Sequence, residues 1–142
     1  ELGHGGKFTN IGDPALDELL TSQLTKGIDT LLTHNGMVVL VLPPDVEFGR
    51  IDGQSPESPA PESDPDRMTR FREIIESVAA TSDRVRVVDL NACIGTRHDD
   101  RSLRPDGIHF TDKGAETVGA WLGPQITDAF TATTGHTTTQ VR

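Results

Sequence analysis

Apolar positions along the chain form five blocks, and the spacing within the first of them predicts a helix. Between residues 14 and 32 the apolar side chains recur every three or four positions, the period of an α-helix with one buried face. Asp13 and Pro14 supply a capping carboxylate and a proline suited to the first helical position, and Asn35 and Gly36 tolerate the positive φ that often ends a helix. The apolar face of this predicted helix consists of Leu16, Leu19, Leu20, Leu24, Ile28, Leu31 and Leu32.

Two shorter blocks predict strands. Residues 37–42 are apolar throughout and rich in β-branched side chains, which is typical of a strand covered on both faces in a parallel sheet. Residues 85–90 form the second strand, in which Val85, Val87, Val88 and Leu90 are apolar.

The remaining two blocks predict helices. Asp64 and Pro65 repeat the signal for a helix start, and the helix that follows separates apolar from charged positions. Its buried face is expected to hold Met68, Phe71, Ile74, Ile75 and Val78, and its wet face Arg67, Arg70, Arg72, Glu73 and Glu76. Thr111 caps the last helix, which Pro124 interrupts and residues 126–130 extend. The order strand, helix, strand predicts a βαβ unit with a right-handed crossover, and hence an α/β fold.

The segments between these blocks predict loops. Residues 1–12 carry four glycines, residues 43–63 are rich in proline, serine and acidic side chains, and residues 91–105 lack a regular apolar period. We expect 43–63 to be a long flexible loop, either a mobile flap near a site or a disordered segment, and 131–142, with six threonines, to be a disordered tail. Residues 1–130 are then one domain.

Two parallel strands are too few to bury both faces of a sheet beneath three helices. The sequence therefore indicates the carboxyl-terminal part of a larger α/β domain. The missing strands are expected from an upstream segment or a companion chain, and the chain opens at Glu1 without methionine, which fits an upstream segment that was removed or left out.

Charge and composition exclude several classes of function. The chain has 13 Lys and Arg against 22 Asp and Glu, a formal charge of -9, which argues against nucleic-acid or anionic-membrane binding. No apolar run reaches the roughly 18 residues that a membrane span requires. The single cysteine, Cys93, excludes an internal disulfide and a multi-cysteine zinc site.

The segment Leu103–Thr111, LRPDGIHFT, carries the strongest candidate chemistry. Pro105 and Gly107 favour a turn on which Asp106 and His109, three residues apart, can meet. A carboxylate that accepts from one imidazole nitrogen leaves the other as a general base for a hydroxyl nucleophile. Taken alone, a D-x-x-H pattern more often marks a capped turn and a packed histidine.

The stretch RPDGIHFTDKGAETVGAWLGPQI resembles the last block of the SGNH (GDSL-type) hydrolases, in which the catalytic Asp and His precede the final helix. The segments VVLVLPPDVEFG, DPDRMTRFREII and VVDLNACIG extend the resemblance, most closely to the extracytoplasmic SGNH domain of actinobacterial acyltransferase-3 fusion proteins. The similarity covers about residues 13–126. It implies a three-layer, flavodoxin-like parallel sheet, of which this chain supplies the C-terminal part.

This resemblance implies a serine esterase or O-acyltransferase that acts on acyl esters of a cell-envelope glycan or a similar polyol without a cofactor. In it His109 is the general base and acid, and Asp106 orients His109. The location implied is extracytoplasmic, in the cell envelope, secreted or tethered to a membrane through an upstream acyltransferase domain. A cysteine at the place of Cys93 implies a disulfide to an upstream cysteine outside this chain.

The chain departs from the family at the nucleophile, because it has no G-D-S motif and no G-x-N-D block. At Gly12, Asp13 and Pro14 a proline replaces the serine. None of the seven serines lies on a strand-to-helix turn, and Ser102 is a weak candidate although it is near Asp106: Ser22, Ser55, Ser58, Ser63, Ser77, Ser82 and Ser102. The nucleophile is thus expected from the same upstream segment or companion chain as the missing strands.

Two other functions compete with the enzyme: a non-catalytic SGNH-like envelope module that binds glycan or a partner protein, and a flavodoxin-like ligand or signalling domain. A metal site is not expected. His4 and His34 are interpreted as surface residues, and the run His98–Asp100 as solvated charge. Asp89 is placed where α/β sheets bind ligands, but backbone hydrogen bonding is the favoured interpretation, and Trp121 is assigned to the core.

Overall fold

The computed structural model describes residues 2–4, 7–49, 60–97 and 100–134, and it shows an α/β fold. A two-stranded antiparallel hairpin precedes a two-stranded parallel sheet with four helices. The elements are β1 (Leu2–His4), β2 (Lys7–Thr9), α1 (Pro14–Leu32), β3 (Val38–Leu42), α2 (Pro65–Ala79), β4 (Val85–Asp89), α3 (Leu90–Ile94) and α4 (Asp112–Thr134). Short 3₁₀ turns cover Pro61–Ser63 and Gly95–Arg97.

The parallel sheet confirms the predicted βαβ unit. β3 and β4 pair in parallel from Val38 opposite Val85 to Leu42 opposite Asp89, and α2 connects them. Within the described parts of the chain, β3 has no strand on its other side. The carboxyl ends of both strands therefore lie at one edge, from which the loop after Leu42 and helix α3 depart.

The main core lies between the sheet and helices α1 and α2, which contact each other and β3. It contains Ile28, Leu32, Val38, Val78, Ala79 and Val85, with Leu24 and Leu40 packed against it. α4 contacts both strands. Asp17, buried in α1, accepts from the amide of Gly12 at 2.9 Å and from Nε of Arg70 at 2.7 Å, which ties α1 to α2.

Replacing Ile28 with alanine is expected to destabilise the fold by about 2–5 kcal/mol, because the lost side chain leaves a cavity in this core. Ile28 is 4% exposed, whereas Leu31 on the same helix is 64% exposed. Leu31→Ala is therefore the control and should change the free energy of unfolding by less than about 0.5 kcal/mol. Urea denaturation measures both, and equal losses would contradict this assignment of the core.

The two predicted long helices and both strands are confirmed within one or two residues, and their caps explain why. The Asp13 carboxylate accepts from Ala15 N at 2.9 Å, and the Asp64 carboxylate accepts from Asp66 N at 3.0 Å. Asn35 has φ 59°, as its place after the first helix predicted. No helix in the described residues is long and apolar enough to cross a bilayer.

Two loop assignments were wrong, whereas residues 43–49 of a third, the 43–63 loop, lie in a loop as predicted. Residues 2–4 and 7–9 form an antiparallel strand pair rather than a plain loop, because Leu2–His4 pairs with Lys7–Thr9 through backbone hydrogen bonds that no apolar period announces. Residues 91–105 begin with α3, which forms because the Asp89 carboxylate caps it by accepting from Ala92 N. The start and end of the 43–63 loop are held by hydrogen bonds, among them Phe48 N to Ser63 Oγ at 2.8 Å; 50–59 lie outside the described residues.

The last helix is longer than its sequence indicated. α4 continues through Pro124, which removes one amide donor without ending the helix, and reaches Thr134. The first four residues of the predicted tail are therefore helical, and 135–142 lie outside the described residues. Trp121 is half-buried rather than fully in the core, and Phe130 is exposed.

Candidate functional site

The structure brings Asp106 and His109 into direct contact on the turn before α4. Asp106 Oδ2 lies 2.7 Å from His109 Nδ1. The other carboxylate oxygen, Oδ1, accepts from the backbone amides of Ile108 at 2.9 Å and His109 at 2.7 Å. Both oxygens are thus engaged, and the carboxylate has one fixed orientation toward the imidazole ring.

This contact determines which ring nitrogen of His109 is available for chemistry. A carboxylate only accepts, so Nδ1 carries the proton that it donates to Asp106. Nε2 is then the unprotonated atom of the neutral ring and points away from the carboxylate. The pair has the local arrangement of the orienting acid and general base of a hydrolase triad.

Glycine is required in the middle of the turn. Gly107 has φ 79°, a conformation that side chains with a Cβ rarely adopt. A Cβ on it would lie 2.4 Å from the carbonyl oxygen of Glu47. The Gly107 carbonyl accepts from Glu47 N at 3.1 Å, so the turn packs directly on the loop that follows β3.

Thr111 fixes the exit of the turn, as its capping role predicted. Its hydroxyl donates to Ser102 O at 2.8 Å and accepts from Gly114 N at 3.0 Å. The Thr111 amide donates to Leu103 O at 2.9 Å. The helix start and the segment before the turn are therefore joined, which leaves the Asp106–His109 segment little freedom.

Hydrogen bonding holds the pKa of Asp106 well below its usual range. The largest cause is the bond from the His109 side chain, followed by the amides of Ile108 and His109. Since a lowered pKa favours the charged form, the ionised carboxylate supports folding above the ordinary aspartate pKa. That support is lost as the pH falls through the lowered value.

Asp106 is accordingly expected to stay ionised from pH 7 to about pH 3, below the ordinary aspartate pKa of about 3.9. His109→Ala removes the largest cause and should move the titration of Asp106 upward, although the two backbone donors remain. The chemical shift of Asp106 Cγ measured by ¹³C NMR across this range reports both effects. An unchanged titration in His109→Ala would show that the imidazole bond does not hold the carboxylate.

The site is open to solvent in this structure. The His109 side chain is 81% exposed, and the Asp106 side chain is 44% exposed. An open depression of about 350 Å³ adjoins them, lined by Pro105, Asp106, His109, Phe110 and Thr111. A larger cavity of about 450 Å³ lies elsewhere, at the end of α1 beside Arg84, and neither Asp106 nor His109 lines it.

No serine of the described segments is hydrogen-bonded to His109. The Ser102 hydroxyl donates to Asp100 Oδ1 at 2.6 Å, which makes it part of its own local turn. Ser77 and Ser82 bond to nearby backbone, and Ser63 accepts from Phe48 N. Ser55 and Ser58 lie outside the described residues. The structure thus joins Asp106 and His109, and no described serine hydroxyl bonds to the ring of His109.

The other candidate residues have local roles. The Asp89 carboxylate caps α3 by accepting from Ala92 N, which confirms that it hydrogen-bonds backbone. His34 is exposed, and its Nδ1 lies 3.0 Å from the Thr33 hydroxyl. The Asp100 carboxylate forms an ion pair with Arg97 at 3.1 Å. His98, Asp99 and the side chain of His4 lie outside the described part of the structure, so their interpretations stay predictions. Among the side chains described, no cluster of His, Cys, Asp or Glu could hold a metal ion.

Cys93 is a half-buried free thiol. Burial raises its pKa, and nearby Arg97 opposes the shift only in part, so the thiol is the favoured form. The implied disulfide to a cysteine outside the chain stays a prediction.

Arg104, which no sequence pattern marked as functional, lies at the base of the turn. Arg104 is 2% exposed and donates from Nη2 to Asp45 O at 2.6 Å and to Gly107 O. Its guanidinium carbon lies 5.8 Å from the centre of the Phe110 ring. The only signal in the sequence was an arginine adjacent to the Pro-Asp-Gly turn.

Comparison with known proteins gave no match: no family model fits the chain, and no curated protein or solved structure is significantly similar to it.

Proposed function

We propose that this chain supplies the Asp106–His109 part of a Ser–His–Asp triad in an SGNH-type serine esterase or O-acyltransferase. The observation that carries the proposal is the 2.7 Å contact between Asp106 Oδ2 and His109 Nδ1, on a carboxylate that two backbone amides also hold. In a hydrolase triad the acid holds the histidine in this way, which places the proton on Nδ1 and leaves Nε2 free to act as the base.

The proposed reaction is acyl transfer through a covalent intermediate. His109 Nε2 takes the proton of a serine hydroxyl as its oxygen attacks the ester carbonyl carbon, and the imidazolium then gives that proton to the departing alcohol. Water or a sugar hydroxyl next attacks the acyl-enzyme and loses its proton to Nε2, and the imidazolium returns a proton to the serine oxygen as the acyl–serine bond breaks. Throughout, Asp106 stabilises the positive charge on the ring. The proposed substrate is an acyl ester of a cell-envelope glycan or a similar polyol. This substrate class rests on the resemblance of LRPDGIHFT and its flanking segments to the SGNH hydrolases.

The nucleophile and the rest of the sheet are proposed to come from an upstream segment or a companion chain. β3 pairs on one side only in the described residues. Beside it an apolar cavity of about 280 Å³ extends between α1 and α2, where Leu24, Leu40 and Phe71 contribute to the lining. An added strand would remove this open edge, which otherwise favours association. It would also extend the sheet toward the three-layer, flavodoxin-like arrangement that the resemblance implies. The same resemblance supports an extracytoplasmic location for the proposed enzyme.

Labelling with a fluorophosphonate tests the proposal in the full natural polypeptide. An activated serine oxygen attacks phosphorus and expels fluoride, so the label reports the nucleophile independently of the substrate. We expect labelling of the wild type and its loss in His109→Ala. His34→Ala, which removes another exposed histidine, is the control and should label normally.

The absence of labelling in the wild type, with binding of acylated glycans retained, would favour the alternative of a non-catalytic module. Normal labelling of His109→Ala would also contradict the proposal, because the serine would then be activated by another base.

A further inference from the structure

The turn that carries the candidate pair rests on a buried cation. Arginine is almost never fully buried unless its charge has partners, yet Arg104 is 2% exposed. Its position is two residues before Asp106, so its backbone enters the turn directly. The Gly107 amide donates to Arg104 O at 3.0 Å, which closes the turn around this residue.

The Arg104 side chain contacts the turn on both sides of the candidate histidine. Nη2 donates to the carbonyl of Gly107, between Asp106 and His109 in the sequence. The guanidinium also lies over the ring of Phe110, with 5.8 Å from its carbon to the ring centre, a cation–π distance. The guanidinium therefore restrains Gly107 and Phe110, the two residues that flank Ile108 and His109 in the sequence.

The same guanidinium joins the turn to the loop after β3. Nη2 donates to Asp45 O at 2.6 Å, and Glu47 N donates to Gly107 O at 3.1 Å. Asp45 itself is held by residues of two helices, α2 and α3. Its carboxylate accepts from Arg72 Nη1 on α2 at 2.8 Å, and its amide donates to Asn91 Oδ1 on α3 at 3.3 Å.

We infer that Arg104 is a positioning residue for the Asp106–His109 pair, which it holds in register by clamping the Gly107 carbonyl to the Asp45 loop. A catalytic role for this positioning rests on the proposed function, but the positions of Asp106 and His109 can be measured by NMR without any assay of activity. Arg104 touches neither carboxylate nor imidazole. Its effect passes through Gly107, whose displacement would move the amides that hold Asp106 Oδ1.

Lysine cannot replace this arginine fully. An ammonium group is a compact point donor, whereas the guanidinium is a plane that donates in its own plane and stacks on an aromatic face. Arg104→Lys should therefore keep part of the contact with the two carbonyls and lose the stacking on Phe110. Arg104→Met keeps the apolar bulk and loses every donor.

NMR of the full-length protein tests the inference through the site itself. The Nδ1–H proton of His109 should give a downfield signal in the wild type, weaken in Arg104→Lys and disappear in Arg104→Met. The titration of Asp106 Cγ should rise toward the usual aspartate range in the same order. Arg84→Met is the matched control, since Arg84 Nη1 also donates to a backbone carbonyl, Leu32 O at 3.0 Å, at the opposite end of the strands. It should leave both signals unchanged.

Unchanged His109 and Asp106 signals in a folded Arg104→Met variant would overturn the inference. Should that variant not fold, the wild type decides: slowly exchanging, individually resolved Arg104 guanidinium protons support the clamp, and rapidly averaged ones refute it. Failure of the proposed function gives a different result. In that case Arg104 variants still change the NMR signals, but no ester hydrolysis is present to be lost.

Discussion

Asp106→Asn is expected to lower kcat for ester hydrolysis about 10⁴-fold, the loss typical of neutralising the orienting acid of a triad. The substitution preserves the shape of the turn, because an amide oxygen can still accept from the Ile108 and His109 amides. It removes the negative charge that stabilises imidazolium, and it offers His109 Nδ1 a neutral group in place of a carboxylate 2.7 Å away. The wrong tautomer, with the proton on Nε2, becomes accessible. His109→Ala removes the proton carrier itself and should abolish turnover.

Asp100→Asn provides the matched control for this loss. Asp100 is also an aspartate in a tight turn, where it accepts from Ser102 N at 3.0 Å, but it pairs with Arg97 instead of a histidine. Its replacement should leave kcat within a few-fold of the wild type. Hydrolysis of an acylated sugar by the full natural polypeptide gives both rates. Wild-type turnover in Asp106→Asn or His109→Ala would end the triad assignment.

Helices and strands that are marked by neighbouring residues, such as a capping aspartate or an apolar block, were predictable from the sequence. The capping aspartates at 13 and 64 mark helix starts because each carboxylate bonds to a backbone amide two residues later. The two strands were recognisable from short blocks rich in valine and leucine, a composition typical of strands. Helix α3 was missed because it is one turn long and has too few residues for a helical period.

The same distinction applies to the candidate site. Asp106 and His109 are three residues apart, so the turn chemistry of Pro105 and Gly107 was enough to predict that they meet. Arg104 and Asp45 are 59 residues apart, and their contact exists only because the βαβ fold brings the loop after β3 to the turn. No pattern within either segment encodes that partner. Likewise, composition predicted the loop after β3 but not the long-range hydrogen bonds of its first residues: Pro43 O and Asp45 O accept from Arg72 and Arg104, and Asp45 N donates to Asn91.

Gly107→Ala is expected to have the largest effect on the turn, because two separate costs fall on one methyl group. The residue has φ 79°, where an L side chain costs about 1–2 kcal/mol. Its new Cβ would also lie 2.4 Å from the Glu47 carbonyl oxygen, a backbone atom that cannot rotate away. Forcing the two segments apart adds about 1–3 kcal/mol, as overpacking typically does. The displaced Gly107 carbonyl then breaks its bonds to Glu47 and Arg104.

Gly12→Ala separates these two costs. Gly12 has φ 98°, but a Cβ there would meet no atom within 4 Å, so this variant pays only the backbone strain. Urea denaturation should therefore show a clearly larger loss of unfolding free energy for Gly107→Ala than for Gly12→Ala. Only Gly107→Ala should also weaken the downfield Nδ1–H signal of His109, since the amides that hold Asp106 move with the turn. Equal destabilisation in both variants, with that signal intact, would mean that the loop after β3 yields to the methyl group and does not position the pair.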